Sequence, residues 1–409
     1  MGGRPKLRSV ESIVVPDERH GRVMVLRDTR GIAPGDAVLP PALVPIIARF
    51  DGEHTCAEIA AAASAAIGSD VSVELVLRLA QQLDEGLFLE GPTFDEALAR
   101  ARRDFEDAPL RPASHAGGAY PNDGKALGTY IEERCVSRAA PTRRGGRMVG
   151  LVAPHIDPWR GAVGYGHAYG TLAKTLPDEV DTFLVFGTSH APMQEPFALL
   201  RKGYDTPLGP MPVDESAVDA LAKAARFDAY HDVMNHKREH SIEFQAAFLR
   251  HLLGTREARI IPILAGLGDA QARKRAPRLD AKVASFFDAV KKLVEGRKGR
   301  IVVVAGADLA HVGPRFGDEA FDAGQRAALE KTDRESLGHA TSRDESAFWE
   351  HVAADLDTRR VCGLAPVYSL LEALTAAGET RGELLHYEQT VDADDGSIVS
   401  HAALGFFAG

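Results

Sequence analysis

Three cysteines in 409 residues, with no CxxC pair among them, exclude a disulfide framework, a zinc knuckle and a dithiol redox motif. No uninterrupted apolar run approaches the roughly 20 residues that a bilayer-spanning helix needs. The amino-terminal Met-Gly-Gly-Arg-Pro-Lys lacks the apolar core of a signal peptide, so a cytoplasmic protein without a membrane segment is expected. Positive charge is also in short supply. The 48 Lys and Arg are outnumbered by 58 Asp and Glu, and a net charge of -10 argues against nucleic acid as a partner. What remains is a soluble globular composition, 45% hydrophobic and 26% charged, with an unusual supply of 15 histidines.

The length exceeds a typical core of about 100–200 residues, so two domains are expected, over 1–105 and 106–409. In the first, residues 23–26 form a β-like run and 42–50 a short helix, closed by a turn at Asp51-Gly52. Thr55 and Glu58 make a capping box for a helix over 57–67, and Ser72 opens another that Gly86 stops. Leu87-Phe88-Leu89 reads as a closing strand. This order predicts a small winged helix, and the run 51–59 with "DEGLFLEG" is similar to PqqD-like peptide-binding domains. A purely structural appendage explains the same pattern. Residues 91–110 read as a charged, solvated connector, and the Gly-, Ala-, Pro- and Asn-rich stretch 112–124 marks the boundary.

From 147 onward, continuous apolar runs at 148–153, 182–186, 260–265 and 301–305 alternate with helical spacing at 216–225 and 280–295. Such a pattern predicts an α/β domain whose central sheet is covered by helices on both faces. Residues 383–389 and 398–407, flanking Asp-Ala-Asp-Asp-Gly, predict a hairpin or antiparallel edge pair.

The polar residues follow the strands. The run 148–153 leads into His155, 182–186 into His190, and 301–305 into Asp308 and His311. Ligand sites in open α/β sheets lie beyond the carboxyl ends of strands, so the three histidines should converge. Cys362 precedes Gly363 and a helix over 365–377, and the positive end of a helix dipole favours a thiolate. Cys56 and Cys135 have no such setting and read as buried, inert thiols. The segment 238–245 opens another helix, where Glu239 and Glu243 lie one turn apart with His240 and Gln245 beside them. They are placed to orient metal ligands or to move protons. Two imidazoles and a thiolate with open positions suit Fe(II), Cu or Zn.

Taken together, Ser114-His115-Ala116-Gly117-Gly118-Ala119-Tyr120-Pro121, Ala153-Pro154-His155, Gly187-Thr188-Ser189-His190, Tyr204-Asp205-Thr206-Pro207-Leu208-Gly209, Glu239-His240-Ser241-Ile242-Glu243, Asp308-Leu309-Ala310-His311, Cys362-Gly363 and Ser400-His401-Ala402-Ala403-Leu404-Gly405 resemble the Memo family. The likeness is to its longer bacterial branch, AmmeMemoRadiSam system protein B. The resemblance implies a fold like that of class III extradiol (LigB-like) dioxygenases, which bind non-haem Fe(II). It carries the metal ligands to His155, His190 and Cys362, and the acid–base role to His311 with Asp308 and His240. A radical SAM enzyme and an AMMECR-type protein are the partners it implies. The sequence departs from the family where Ile156-Asp157-Pro158-Trp159 follow the first ligand and Ala191 follows the second.

Three readings follow. The first is an iron- or copper-dependent redox enzyme acting on an unidentified small molecule. The second is a non-catalytic adaptor whose cleft holds a peptide. The third is a hydrolase, using either Cys362 activated by His311 or a zinc ion.

Overall fold

The computed structural model describes residues 3–19, 21–139, 146–267 and 275–409. The chain divides into two units, Met1–Ala108 and Pro109–Gly409.

The first unit begins with an antiparallel sheet of β1 (Glu11–Asp17), β2 (Gly21–Arg27) and β3 (Ala37–Leu39), in that order. Helices Cys56–Ile67, Val73–Glu85 and Pro92–Asp107 follow. The Thr55–Glu58 capping box is formed from both sides. Leu26, Ile46, Phe50, Ile59, Val76, Leu83 and Phe88 share the core. Two sequence expectations change. The helix over 42–50 is broken into a 3-10 turn, Pro41–Leu43, and a single α-turn, Val44–Ile47, because Pro41 and Pro45 lack the N–H that a longer ladder requires. No strand forms at 87–89: Leu87 is left-handed (φ 64°), and Leu89 makes one isolated bridge, to Leu7.

The second unit is built on an eight-stranded sheet. Besides the short pair β4 (Leu110–Arg111) and β8 (Gly203–Tyr204), its strands are β5 (Arg147–Ala153), β6 (Thr182–Thr188), β7 (Phe197–Leu199), β9 (Arg259–Ala265), β10 (Ile301–Gly306), β11 (Asp308–Val312), β12 (Thr380–Val391) and β13 (Ile398–Ala408). The order is β11-β13-β5-β10-β6-β9-β7, with β12 beside β13. The four central strands β5, β10, β6 and β9 are parallel. Their apolar runs have no polar alternation because both faces are covered. Val303, Leu184, Ile261 and Phe186 on the sheet pack with Phe286, Val290, Leu370 and Leu371 from helices Ala281–Gly296 and Leu364–Leu374.

The antiparallel pair expected over 383–389 and 398–407 forms as β12–β13, with the first strand longer at both ends. Asp308 and His311 differ more from expectation. They do not trail from the end of β10 but occupy a strand of their own, β11, paired antiparallel with β13. Residues 112–124 are not a free boundary either, since His115 and Tyr120 are hydrogen-bonded into the second unit.

Candidate metal centre

Because β5, β10 and β6 are adjacent and parallel, their carboxyl ends open on one edge of the sheet. His155 lies two residues beyond β5 and is buried. Its backbone N–H donates to Asp308 Oδ1 at 2.9 Å, and Nδ1 lies 3.0 Å from the Gly306 carbonyl. A carbonyl only accepts, so Nδ1 carries a proton in either charge state of the ring, and Nε2 is the nitrogen left to face a metal. That Nε2 is 3.1 Å from Cys362 Sγ.

His190 lies two residues beyond β6 and is held in the same manner. Its Nδ1 is 3.0 and 3.1 Å from the oxygens of Glu239, which again leaves Nε2 available. Cys362 reaches the pair because the chain passes very close to β11. Gly363 N–H donates to the Asp308 carbonyl at 3.0 Å, and a Cβ on Gly363 would stand 2.2 Å from that oxygen. Only glycine permits the approach. The Cys362 carbonyl accepts from Thr188 Oγ1 at 2.9 Å, tying it to the end of β6. One donor atom each from His155, His190 and Cys362 lie within 4.8 Å of one another.

The charges are strongly coupled. Burial alone would push the Cys362 thiol up, but the imidazoles of His155 and His311, with hydrogen bonds from His155 and His190, bring it down to about 5. Burial opposes the charge on His155, yet Cys362 and Asp308 raise it to about 9. His190 rises for a similar reason, with Glu239 the largest opposing influence to burial. The pocket therefore favours positive charge between a thiolate and two carboxylates. Cys135, buried without such neighbours, is pushed up to about 12 and stays a thiol.

A second set of donors, His190, Glu239 and His240, also lies within 4.8 Å. Here the two rings stack, with centroids 4.7 Å apart and planes at 16°. Imidazole lone pairs lie in the ring plane, so stacked rings aim them side by side and not at one point. His155 and His190 meet at 74°, which lets theirs converge. The first set is the better cage.

Of the acid–base candidates, Asp308 Oδ2 lies 3.7 Å from His155 Nε2. The His240 ring is 5.3 Å from that of His155, and its Nδ1 is 3.3 Å from Glu239 Oε1. His311 is further along β11, its ring edge-on to Phe316 at 5.3 Å. The sequence gives no sign of what holds Glu243. This fully buried carboxylate accepts from Arg111, from Tyr120 OH at 2.5 Å, and from His115 through both N–H at 2.9 Å and Nδ1 at 2.8 Å. Arg111 is 132 positions away and has no periodic partner, so no spacing rule could reveal the pair.

Residues 111–405 match the family model described as "Memo-like protein". A MEMO1 family protein of Aquifex aeolicus is 29% identical over 406 residues, covering 99% of this chain and 100% of that one. One of Thermus thermophilus is 30% identical over 332 residues, 80% of this chain and 91% of its own. One of Methanopyrus kandleri is 29% identical over 304 residues, which are 98% of that protein but only 72% of this chain. More than a quarter of the present chain thus lies outside that match.

Proposed function

The chain belongs to the Memo family, and from that premise we propose that its second unit is a metal-dependent redox enzyme in which His155, His190 and Cys362 hold Fe(II) or copper. The observation that carries this reading is the approach of Cys362 Sγ to within 3.1 Å of His155 Nε2, across 207 residues of chain. The donor set fits such an ion. Each imidazole has its Nδ1 engaged, by a carbonyl or a carboxylate, in the way that orients metal-ligating histidines. When bound, a late first-row metal supplies redox chemistry and open coordination positions for a small molecule.

The chain's own residues divide the remaining tasks. Asp308 fixes His155 through its backbone N–H. Glu239 orients His190 and His240. His240, with Nε2 free of protein partners among the described residues, and His311 are the groups that hold or move protons at the bound substrate. We read the domain fold as that of class III extradiol dioxygenases. We read the first unit as a winged-helix, PqqD-like module that binds a peptide or recruits a radical SAM or AMMECR-type partner. The Methanopyrus relative is matched over 98% of its length by 72% of this chain, which supports reading part of the chain as an addition to the Memo-like body.

Metal analysis of protein purified without added metal, wild type beside His190→Ala, tests the first reading. Close to one equivalent is expected in the wild type and little in the variant. Equal, sub-stoichiometric metal in both ends the proposal.

A further inference from the structure

Cys362 follows a turn whose backbone is strained. Leu356, Asp357 and Arg360 have φ of 56°, 61° and 51°, left-handed values that residues with a Cβ rarely adopt. Five non-glycine residues among the described ones have positive φ, and three of them fall in these five positions. Strain of this kind persists only where the surroundings fix it, and it gathers where geometry matters to function.

The fixing groups are two consecutive arginines. Arg359 turns inward: Nη1 donates to the buried Asp333 at 2.9 Å, and Nε to Asp355 at 2.6 Å. Arg360 turns outward and grips Asp318 with both terminal nitrogens, at 2.8 and 3.0 Å. Between them they hold both sides of His311. The Arg359 carbonyl accepts the His311 N–H at 2.7 Å, while the Arg360 guanidinium donates to the His311 carbonyl at 3.2 Å. Three residues beyond Arg360, Gly363 N–H closes the other end of this pairing on the Asp308 carbonyl. Asp318 also accepts from Gly313 N–H at 3.1 Å, so it anchors the chain that leaves β11 as well.

We propose that Asp318, Arg359 and Arg360 are positioning residues that lock this turn, so that Cys362 is set beside His155, and in register with His311, before any metal arrives. The inference rests on the metal-centre reading above. A thiol on an unlocked turn would have to be ordered as the ion binds, and that cost would appear as lost affinity. The Asp318–Arg360 pair is 30% and 39% exposed. Pairs at such exposure contribute little to global stability. A merely structural role therefore gives small effects everywhere, whereas a positioning role gives a large effect on the thiolate alone.

Titration of metal-stripped, full-length protein with Co(II), followed by the thiolate-to-cobalt charge-transfer band, separates the two. Arg360→Gln and Asp318→Asn are expected to weaken Co(II) binding about tenfold or more, the loss seen when residues that orient ligands are removed. They should also displace the band. Arg360→Lys, which keeps a cation beside Asp318 and the His311 carbonyl, should recover most of the affinity. The melting temperature of Asp318→Asn should stay close to that of the wild type. If Arg360→Gln does not fold, the milder Asp318→Asn decides. Wild-type affinity with an unmoved band in the folded variants overturns the inference and leaves the metal centre standing. A wild type without any thiolate band overturns the metal centre, and this inference with it.

Discussion

Glu239 and His190 are joined at backbone and side chain together. One carboxylate oxygen accepts the His190 N–H at 2.8 Å, and Nδ1 of the ring lies 3.0 and 3.1 Å from the two oxygens. Glu239 is also the N-cap of helix His240–Leu253, accepting from Ser241 N–H at 3.0 Å, so the helix start sets the ring. Burial opposes its charge, but His190 and His240 hold its carboxyl well below the usual range. A permanent carboxylate at this place keeps a proton on Nδ1, so that Nε2 is the nitrogen a metal would take.

Replacing that carboxylate by an amide removes the charge and adds a competing donor. In Glu239→Gln the amide N–H can face Nδ1 and drive the proton to Nε2, the nitrogen aimed at the metal position. We expect metal affinity to fall on the order of 10- to 100-fold with the fold retained. Calorimetric titration with Zn(II) checks it, and a change of less than twofold would remove Glu239 from the account.

Glu243 provides the pH dependence. Burial would raise its carboxyl, but Arg111 and the hydrogen bonds from His115 and Tyr120 outweigh that and lower it to about 2, from an ordinary value near 4.5. A depressed acid contributes stability that is fully present above the unfolded value and is lost as pH falls through the folded one. Urea midpoints should therefore be flat with respect to this group above about pH 5 and decline from there toward pH 2. Arg111→Met strips the carboxylate of its cation, which for a buried pair costs roughly 3–5 kcal/mol at neutral pH. Without Arg111, desolvation pushes Glu243 up, so acidification through the carboxylate range should restore part of the variant's stability. A variant that loses stability in parallel with the wild type would show that Arg111 does not govern Glu243.

Gly363 tests how closely the chain must pass β11. The Cβ of Gly363→Ala would stand 2.2 Å from a backbone oxygen, which has no rotamer by which to yield. Overpacking of this kind destabilises by about 1–3 kcal/mol. The shift falls on the neighbour of Cys362, so metal content should drop further than stability alone predicts. Parallel measurement of urea midpoint and bound metal checks this. A variant with normal metal would place the strain elsewhere.

The parts of the site that lie along strand ends are legible in the sequence. His155 and His190 follow continuous apolar runs, and parallel strands can place such residues only on one edge of the sheet. Cys362 is legible through its glycine and the helix after it. Asp308 and His311 are found but misplaced, because β11 is short, begins only two residues after β10 and owes its pairing to β13, some 90 residues later. Glu239 and Glu243 are read from their one-turn spacing as groups that orient ligands, and Glu239 does hold His190, but that spacing does not predict their burial. Their burial comes from partners such as Arg111 and His190, and pairing over long sequence separations leaves no local trace. The turn before Cys362 is equally silent, since nothing in Leu356-Asp357-Thr358-Arg359-Arg360 announces three left-handed residues.

The first unit can be removed as a test of where the chemistry resides. All three donor residues and every carboxylate that orients them lie in Pro109–Gly409. The family match begins at residue 111, and the Methanopyrus relative is covered almost completely by 72% of this chain. A protein of residues 109–409 should therefore fold cooperatively and bind one metal ion with the affinity of the full chain. If it also keeps turnover of an oxidisable substrate but loses capture of a protein partner, the first unit recruits and the second reacts. Loss of metal on truncation, with circular dichroism unchanged, would mean that the first unit completes the centre, and the assignment of His155, His190 and Cys362 as a self-sufficient donor set would then fail.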